Sequence, residues 1–398
     1  MRYGKLINGY KFGSFSCVTE NNKKLKLGLI YLESFGRCIP SFTTNLLKSN
    51  SIIVSQKHLK KTDRIKCILT NSGCANTACG KDGIKITEEI CEVLANKLNV
   101  RKEEILVAST GVIGVPLPKK DIINYLPQLI SSLSDSKNSV VKFAKSILTT
   151  DTKPKIVYRS FDSKNILCIA KGAGMIAPQL NLYKPHATML VFLLTDLSLE
   201  KNLMEEIMNN VVIPSFNSFS IDGDTSPNDT IFFVSLAEKP VKLTRAEIKK
   251  LYNAIKNVCD ETIRKLLFDG EGVTKVVKIV ITNCPKKYAE VIAKTVSNSL
   301  LVKTAFHGAD PNWGRILAAI GRSGIKFDIN KVDIYIGEYC VVKNGTSNFV
   351  DDAVVRKVML KNFFEIKINM KLTKAKEFVF YTTDLSKKYV DINSKYKT

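Results

Sequence analysis

KGAGMIAPQLNLYKPHATMLVFLLTD, from Lys171 to Asp196, sets a glycine-rich loop ahead of an apolar run, Met189 to Leu194. A short, unbroken apolar run bounded by turn formers reads as a strand buried on both faces. Thr188 stands at its mouth. As an ordinary strand residue it is simply a β-branched side chain in a favourable place. With the peptide bond before it cut, it becomes a candidate nucleophile. Cleavage between Ala187 and Thr188 would free an α-amine, and that amine could serve as general base for its own hydroxyl. Its ordinary pKa, about 7.7–8.0, suits the task near neutral pH.

Outward from this stretch, strands alternate with helices. Thr87-Glu88-Glu89 is expected to open a helix with Ile90, Val93, Leu94 and Leu98 on one face. Thr244 to Glu247 is a capping-box sequence, followed by Ile248, Leu251, Tyr252, Ile255 and Val258 at helical spacing. Val276 to Thr282 reads as a strand, and Pro285 as the start of a helix through Tyr288, Val291 and Ile292. Asp333 to Val342 reads as one strand ending in a tight turn at Asn344-Gly345. Phe363 to Met370 and Phe378 to Thr382 read as two more. The expected class is α/β or α+β with much sheet. No repeat or low-complexity linker interrupts the pattern.

The chain has 398 residues, enough for two or three domains. Its apolar runs fall well short of a membrane span, and MRYGKLINGYKFGSF lacks the apolar core of a secretory signal. A cytoplasmic protein without membrane partners is expected. Ten cysteines are scattered without a C-x-x-C pair, and the histidines are only His58, His186 and His307. Zinc-site spacing is therefore absent, and reduced, mostly buried thiols are expected. The net charge of +23 raises a nucleic-acid reading. The excess is dispersed Lys rather than a basic block interleaved with aromatics, so no nucleic-acid partner is expected.

Three further segments carry candidate chemistry. Ser109-Thr110-Gly111-Val112-Ile113-Gly114 follows the apolar run Ile105 to Ala108. A Gly N–H and a Thr hydroxyl at a strand end can form an oxyanion hole, and a structural strand-turn is the alternative. Lys171-Gly172-Ala173-Gly174 lacks the third Gly of a dinucleotide fingerprint and leads to a strand rather than a helix. No nicotinamide cofactor follows from it. His307 to Arg315, HGADPNWGR, holds the only Trp in a run of turn formers, either structural or facing a ligand.

Taken together, these segments closely resemble the glutamate N-acetyltransferase/ornithine acetyltransferase family of arginine biosynthesis. The matching stretches are FTTN (Phe42–Asn45), NSGCAN (Asn71–Asn76), STGVIG (Ser109–Gly114), TTDTKPK (Thr149–Lys155), KGAGMIAP (Lys171–Pro178) and ATML (Ala187–Leu190). DGDTSPNDT (Asp222–Thr230), DGEGVTK (Asp269–Lys275), GADPNWGRILAAIGRSG (Gly308–Gly324) and the closing TTDLSKKYVDINSKYKT complete the set in order.

The resemblance implies a layered α/β sandwich with a smaller C-terminal α/β domain. It also implies an N-terminal-nucleophile enzyme, self-cleaved between Ala187 and Thr188 into an α chain (1–187) and a β chain (188–398), held as a heterotetramer of two α and two β chains. Carried over residue by residue, Thr188 is the nucleophile and Thr110 and Gly111 form the oxyanion hole. Substrate contacts fall on Thr149 or Thr150, Lys171, Thr188, Glu271, Asn393 and Thr398. The implied reaction is ping-pong acetyl transfer from N-acetylornithine to glutamate, with neither metal nor cofactor. Use of acetyl-CoA as co-substrate is left open.

This chain departs from the family pattern at Gln179 to His186, where the spacer before Ala187-Thr188 is longer than the family's, and at Cys74, where the family has Asn. The insert raises the alternative of an uncleaved, decayed homologue. A related N-terminal-nucleophile hydrolase is the other alternative.

Overall fold

The computed structural model describes residues 5–20, 22–182, 189–374 and 377–395. Nine strands form a first sheet: β1 (Tyr10–Val18), β2 (Lys24–Phe42), β3 (Arg64–Cys74), β4 (Ile105–Val112), β5 (Lys155–Phe161), β6 (Lys164–Lys171), β7 (Asn181–Leu182), β8 (Leu190–Ser198) and β9 (Thr230–Leu236). Their order is β4-β3-β2-β9-β8-β6-β5, with β1 and β7 also on β2. The pairs β3/β4 and β8/β9 are parallel; the others are antiparallel.

The 19-residue β2 folds this sheet back on itself. Its first half pairs with β1 and β3, its register breaks between Tyr31 and Gly36, and its second half pairs with β9. The two halves face each other across a core of Phe12, Ile30 and Leu32 against Phe192, Phe232 and Val234. Side chains alternate along a strand, so the opposite faces need their own cover. The helix Arg245–Phe268 and the segment 201–216 cover Val191, Leu193 and Phe233, while the helices Gly80–Leu98 and Lys119–Ser131 cover Leu25, Leu27 and Leu29. The result is a layered helix–sheet–sheet–helix sandwich. All nine residues of β8 are buried, as its unbroken apolar run requires.

A second, six-stranded sheet follows: β10 (Val276–Thr282), β11 (Asp333–Ile336), β12 (Tyr339–Lys343), β13 (Thr346–Ser347), β14 (Phe363–Asn369) and β15 (Phe378–Thr383), in the order β13-β12-β11-β14-β10-β15. It has its own core around Ile279, Ile281, Ile366 and Ile368. This is the smaller C-terminal α/β unit.

Several local expectations need correction. The helix expected to open at Thr87 begins at Gly80, and Thr87 lies inside it with its hydroxyl donated to the Gly83 carbonyl, 2.7 Å away. Two glycines lower helix propensity there, but close packing of Gly83 on the Asn50 side chain overrides it. Asp333 to Val342 is two antiparallel strands, because Gly337 and Glu338 turn the chain between them. The helix after Pro285 buries Ala289, Ile292, Ala293 and Val296, leaving Tyr288 and Val291 outward. Small residues, not bulky ones, make the close approach to the sheet. The capping box at Thr244 and Glu247 forms as expected, with both reciprocal bonds present. All ten cysteines are unpaired, and seven are buried. Among the described residues, no helix is long and apolar enough to cross a membrane.

Candidate active site

The site lies at one edge of the first sheet, where β3, β4 and β6 end and β8 and β9 begin. A cavity of about 300 Å³ opens there, lined by Thr110, Gly111, Ile113, Thr149, Thr150, Lys171, Gly174, Met175, Asp222, Asp224, Ser226, Asn228, Glu271, Tyr389 and Asn393. Of the residues singled out in the sequence, it gathers Thr110, Gly111, Thr149, Thr150, Lys171, Glu271 and Asn393. Ala187, Thr188 and Thr398 lie outside the described residues. Met189, the first described residue after the gap, is fully buried at the head of β8. A larger hollow, about 740 Å³, lies between the helix Arg245–Phe268 and the second sheet, lined by Phe268, Phe363 and Tyr381. None of the singled-out residues reaches it, so its size does not make it the site.

Thr110 and Gly111 are set by the parallel pairing of β3 with β4, which places Gly111 against Gly73. Gly111 has φ +128°, and a Cβ there would sit 2.4 Å from the Gly73 carbonyl carbon, so only glycine fits. Behind them runs a buried polar network. Ser109 Oγ bonds to Asn71 and Ser51, both at 2.5 Å, and Asn76 Nδ2 donates to Ser51 and Thr87. Asn228 donates to the carbonyls of Ala75 (2.6 Å) and Ser109 (2.8 Å) and accepts from the Thr77 hydroxyl. Each member is satisfied, which holds the strand ends in one arrangement.

Lys171 is only 4% exposed, and its Nζ donates to Thr110 Oγ1 at 3.2 Å. An ammonium can only donate, so the Thr110 oxygen accepts and its own hydroxyl proton stays available for a second acceptor. Burial pushes the Lys171 ammonium below its usual pKa, and the charges of Asp151, Asp229 and Glu271 work against that shift.

Asp151 stands 3.8 Å from Lys171 Nζ and accepts from the Gly172 N–H at 2.6 Å and from Lys155 Nζ. Lys155 also reaches Asp269, at 2.5 Å, and Asp269 in turn takes the N–H groups of Thr152 and Lys153. Burial alone would raise the Asp151 carboxyl; the Lys171 and Lys155 charges and these hydrogen bonds hold it below the usual range.

The opposite wall is acidic. Asp222 accepts from the Met175 and Ile176 N–H groups at 2.6 and 2.8 Å, and burial holds its carboxyl above the usual range in spite of them. Glu271 lies so close to Gly174 that a Cβ there would meet its carboxylate at 2.3 Å. Asn393, on the C-terminal helix Lys387–Asn393, donates to Glu271 Oε2 at 2.9 Å. The tail thus folds over the cavity. Such a pocket pairs a cationic, donor-rich end with a carboxylate end.

The segment His307 to Arg315 does not line the cavity. Arg315 donates to the Leu301 carbonyl, and Asn312 caps the helix Trp313–Gly321. It is structural. The first half of the insert is anchored: Leu182 pairs with Ser41 on β2, and Asn217 holds the Leu180 carbonyl at 2.9 Å.

Sequence reading missed Asp151, Lys155, Asp222, Asn228, Asp229 and Asp269 as individual actors. Each lies inside a quoted motif, and the available signal was acids and amides bracketed by turn formers.

The chain is similar to known proteins over nearly its whole length. The model of the ArgJ family matches residues 11–398. Glutamate N-acetyltransferase of Methanocaldococcus jannaschii is 37% identical over 412 aligned residues, covering 99% of this chain and 97% of that protein. The arginine biosynthesis bifunctional protein ArgJ of Caldanaerobacter subterraneus is 38% identical, covering 97% and 96%. The crystal structure of the ArgJ protein from Bacillus halodurans is 28% identical with a TM-score of 0.47, covering 52% of this chain and 100% of that one.

Proposed function

This chain belongs to the ArgJ family and is an acyltransferase, and from that premise we propose that it moves an acetyl group from N-acetylornithine to glutamate through acetyl-Thr188. The observation that carries the reading is the gathering of Thr110, Gly111, Lys171, Glu271 and Asn393 around one cavity at the head of β8.

Self-cleavage between Ala187 and Thr188 comes first. The Thr188 hydroxyl attacks the Ala187 carbonyl carbon, the C–N bond breaks, and water opens the resulting ester. Residues 1–187 and 188–398 then act together, as two chains of each kind. In turnover, the freed amine takes the hydroxyl proton as Thr188 Oγ attacks the acetyl carbonyl. Negative charge develops on that oxygen, where Thr110 Oγ–H and the Gly111 N–H receive it. Lys171 fixes the direction of the Thr110 proton and adds positive charge. Glu271, held by Asn393, takes the substrate amine, and Thr149 and Thr150 border the same cavity. Ornithine leaves with the proton, glutamate enters, and its amine collects the acetyl group. The cytoplasm is the expected compartment. Acetyl-CoA as a second acetyl donor is a separate assay.

Intact mass of the purified protein, wild type beside Thr188→Ala, tests the scheme. Two fragments and parallel double-reciprocal lines are expected for the wild type, and one inactive 44.4 kDa chain for the variant. An uncut yet fully active wild type rejects it. Acetate release without glutamate would favour the hydrolase reading instead.

A further inference from the structure

Lys303, on the helix Leu300–Gly308 of the smaller unit, is only 2% exposed and lies outside the cavity. Its ammonium donates to the carbonyls of Ile221 (2.8 Å) and Thr383 (2.5 Å) and to the hydroxyls of Thr383 (3.1 Å) and Thr382 (3.4 Å). All four acceptors are neutral. A buried cation held by neutral oxygens alone is costly, and an apolar side chain would fill the same space at less cost. The place of those oxygens gives the cation a use.

Ile221 and Thr383 each stand one residue before a carboxylate that grips a loop of the cavity. Asp222 takes the N–H groups of Met175 and Ile176, at the end of the glycine-rich loop. Asp384 takes those of Thr274 and Lys275, both at 2.9 Å, three and four residues after Glu271. Gly174, Met175, Asp222 and Glu271 line the cavity. The Thr383 hydroxyl donates to the same Ile221 carbonyl at 2.9 Å, so helix, wall and tail meet at one point. Beyond it the tail is tied down by Ser386, whose hydroxyl donates to the Gly272 carbonyl, and ends over the cavity with Asn393 on Glu271.

We propose that Lys303 is a positioning residue for substrate binding, a cation behind the cavity that sets its two loops through Asp222 and Asp384. This rests on the reading of that cavity as the substrate site.

Burial pushes the Lys303 ammonium down to about 8, against the charges of Asp222 and Asp384. Asp224 and Tyr389 act on Asp222 in turn. His307 Nδ1 lies 2.8 Å from the Asp384 carboxylate, and the Lys275 ammonium, also near Asp384, goes to the carbonyls of Phe306 and His307. On losing its proton Lys303 gives up one of its three donors. The hold on residues 221 and 383 then weakens, and substrate affinity falls with it.

Calorimetric titration of the purified enzyme with ornithine, wild type beside Lys303→Met, tests this. At pH 7 the variant should bind about tenfold more weakly, the size that one lost charged hydrogen bond supports, and kcat should fall much less than affinity. As pH rises from 7 to 9 that gap should close, because ornithine, Lys171 and the other groups titrate alike in both proteins and only Lys303 differs. A merely structural lysine would lower the melting temperature and leave ornithine affinity at the wild-type value across this range, which would overturn the proposal. Should Lys303→Met fail to fold, Thr383→Val decides, since it keeps the shape and deletes only the hydroxyl shared by Lys303 and Ile221. It should weaken ornithine binding about threefold, and unchanged binding would overturn the proposal. A wild type that binds no ornithine defeats the reading of the cavity and the role of Lys303 with it; a wild type that binds no better than the variants defeats the role of Lys303 alone.

Discussion

Two buried acids flank Lys171 and live under opposite conditions. Asp151 is met by two lysines and a backbone N–H, and its charge is held. Asp229, equally buried, has no hydrogen-bond partner among the described residues. The difference teaches what each is for. A carboxylate whose partners are all present belongs to a finished scaffold. One without partners is pushed by burial toward its neutral form. The Lys171 charge acts on both, and its Nζ donates to Thr110, the residue proposed for the oxyanion hole.

The contrast can be broken first at Asp151. Asp151→Ala leaves two buried ammonium groups short of a counter-charge and should cost about 3–5 kcal/mol by denaturant unfolding. A loss under 1 kcal/mol would mean that the lysines relax to water and the scaffold reading fails. Thr110→Ala comes next. It should lower kcat on cut enzyme by about 10²–10³, about 2.7–4 kcal/mol, with stability nearly intact. A change confined to melting temperature would make Thr110 a packing residue.

Third is the pH dependence of the uncut Thr188→Ala chain. The folded-state pKa of Asp229 is raised above its unfolded value, so its contribution to stability is full below about pH 3.9 and is lost as pH rises toward the folded pKa. The slope is about 1.4 kcal/mol per pH unit, and adding Asp229→Asn should remove it. Asp151 has the reverse sign: its depressed pKa adds stability above about pH 4, lost on acidification. If unfolding titrations gave both acids the same slope, the distinction would collapse. Smallest is Tyr389→Phe, which deletes a long 3.4 Å hydrogen bond to Asp222 and should cost about 0.5 kcal/mol.

Much of this was legible from the chain itself. The run Met189 to Leu194 announced a strand buried on both faces, and Thr244 to Glu247 announced a helix start, because each depends on local pattern alone. The helix start at Gly80 was hidden, since Gly83 is accommodated by Asn50 on another helix. The break at Gly337 was masked by apolar residues on either side. Thr110, Gly111, Lys171 and Glu271, carried over from a family resemblance, line one cavity. Asp151, Asn228 and Asp229 were missed, because a buried acid or amide reveals its part only through what surrounds it. Asp151 and Asp229 sit in equally polar, turn-rich sequence, and only three-dimensional neighbours tell them apart.

The strand order carries a mechanical consequence. Read from β2 through β9 and β8 to β6, the sheet sets two strands from after residue 187 between strands from before it. A chain severed before Met189 would leave the second piece's β8 and β9 gripped on both flanks by strands of the first. Such pieces would travel as one particle through any native separation and part only in denaturant, and neither should fold when produced alone.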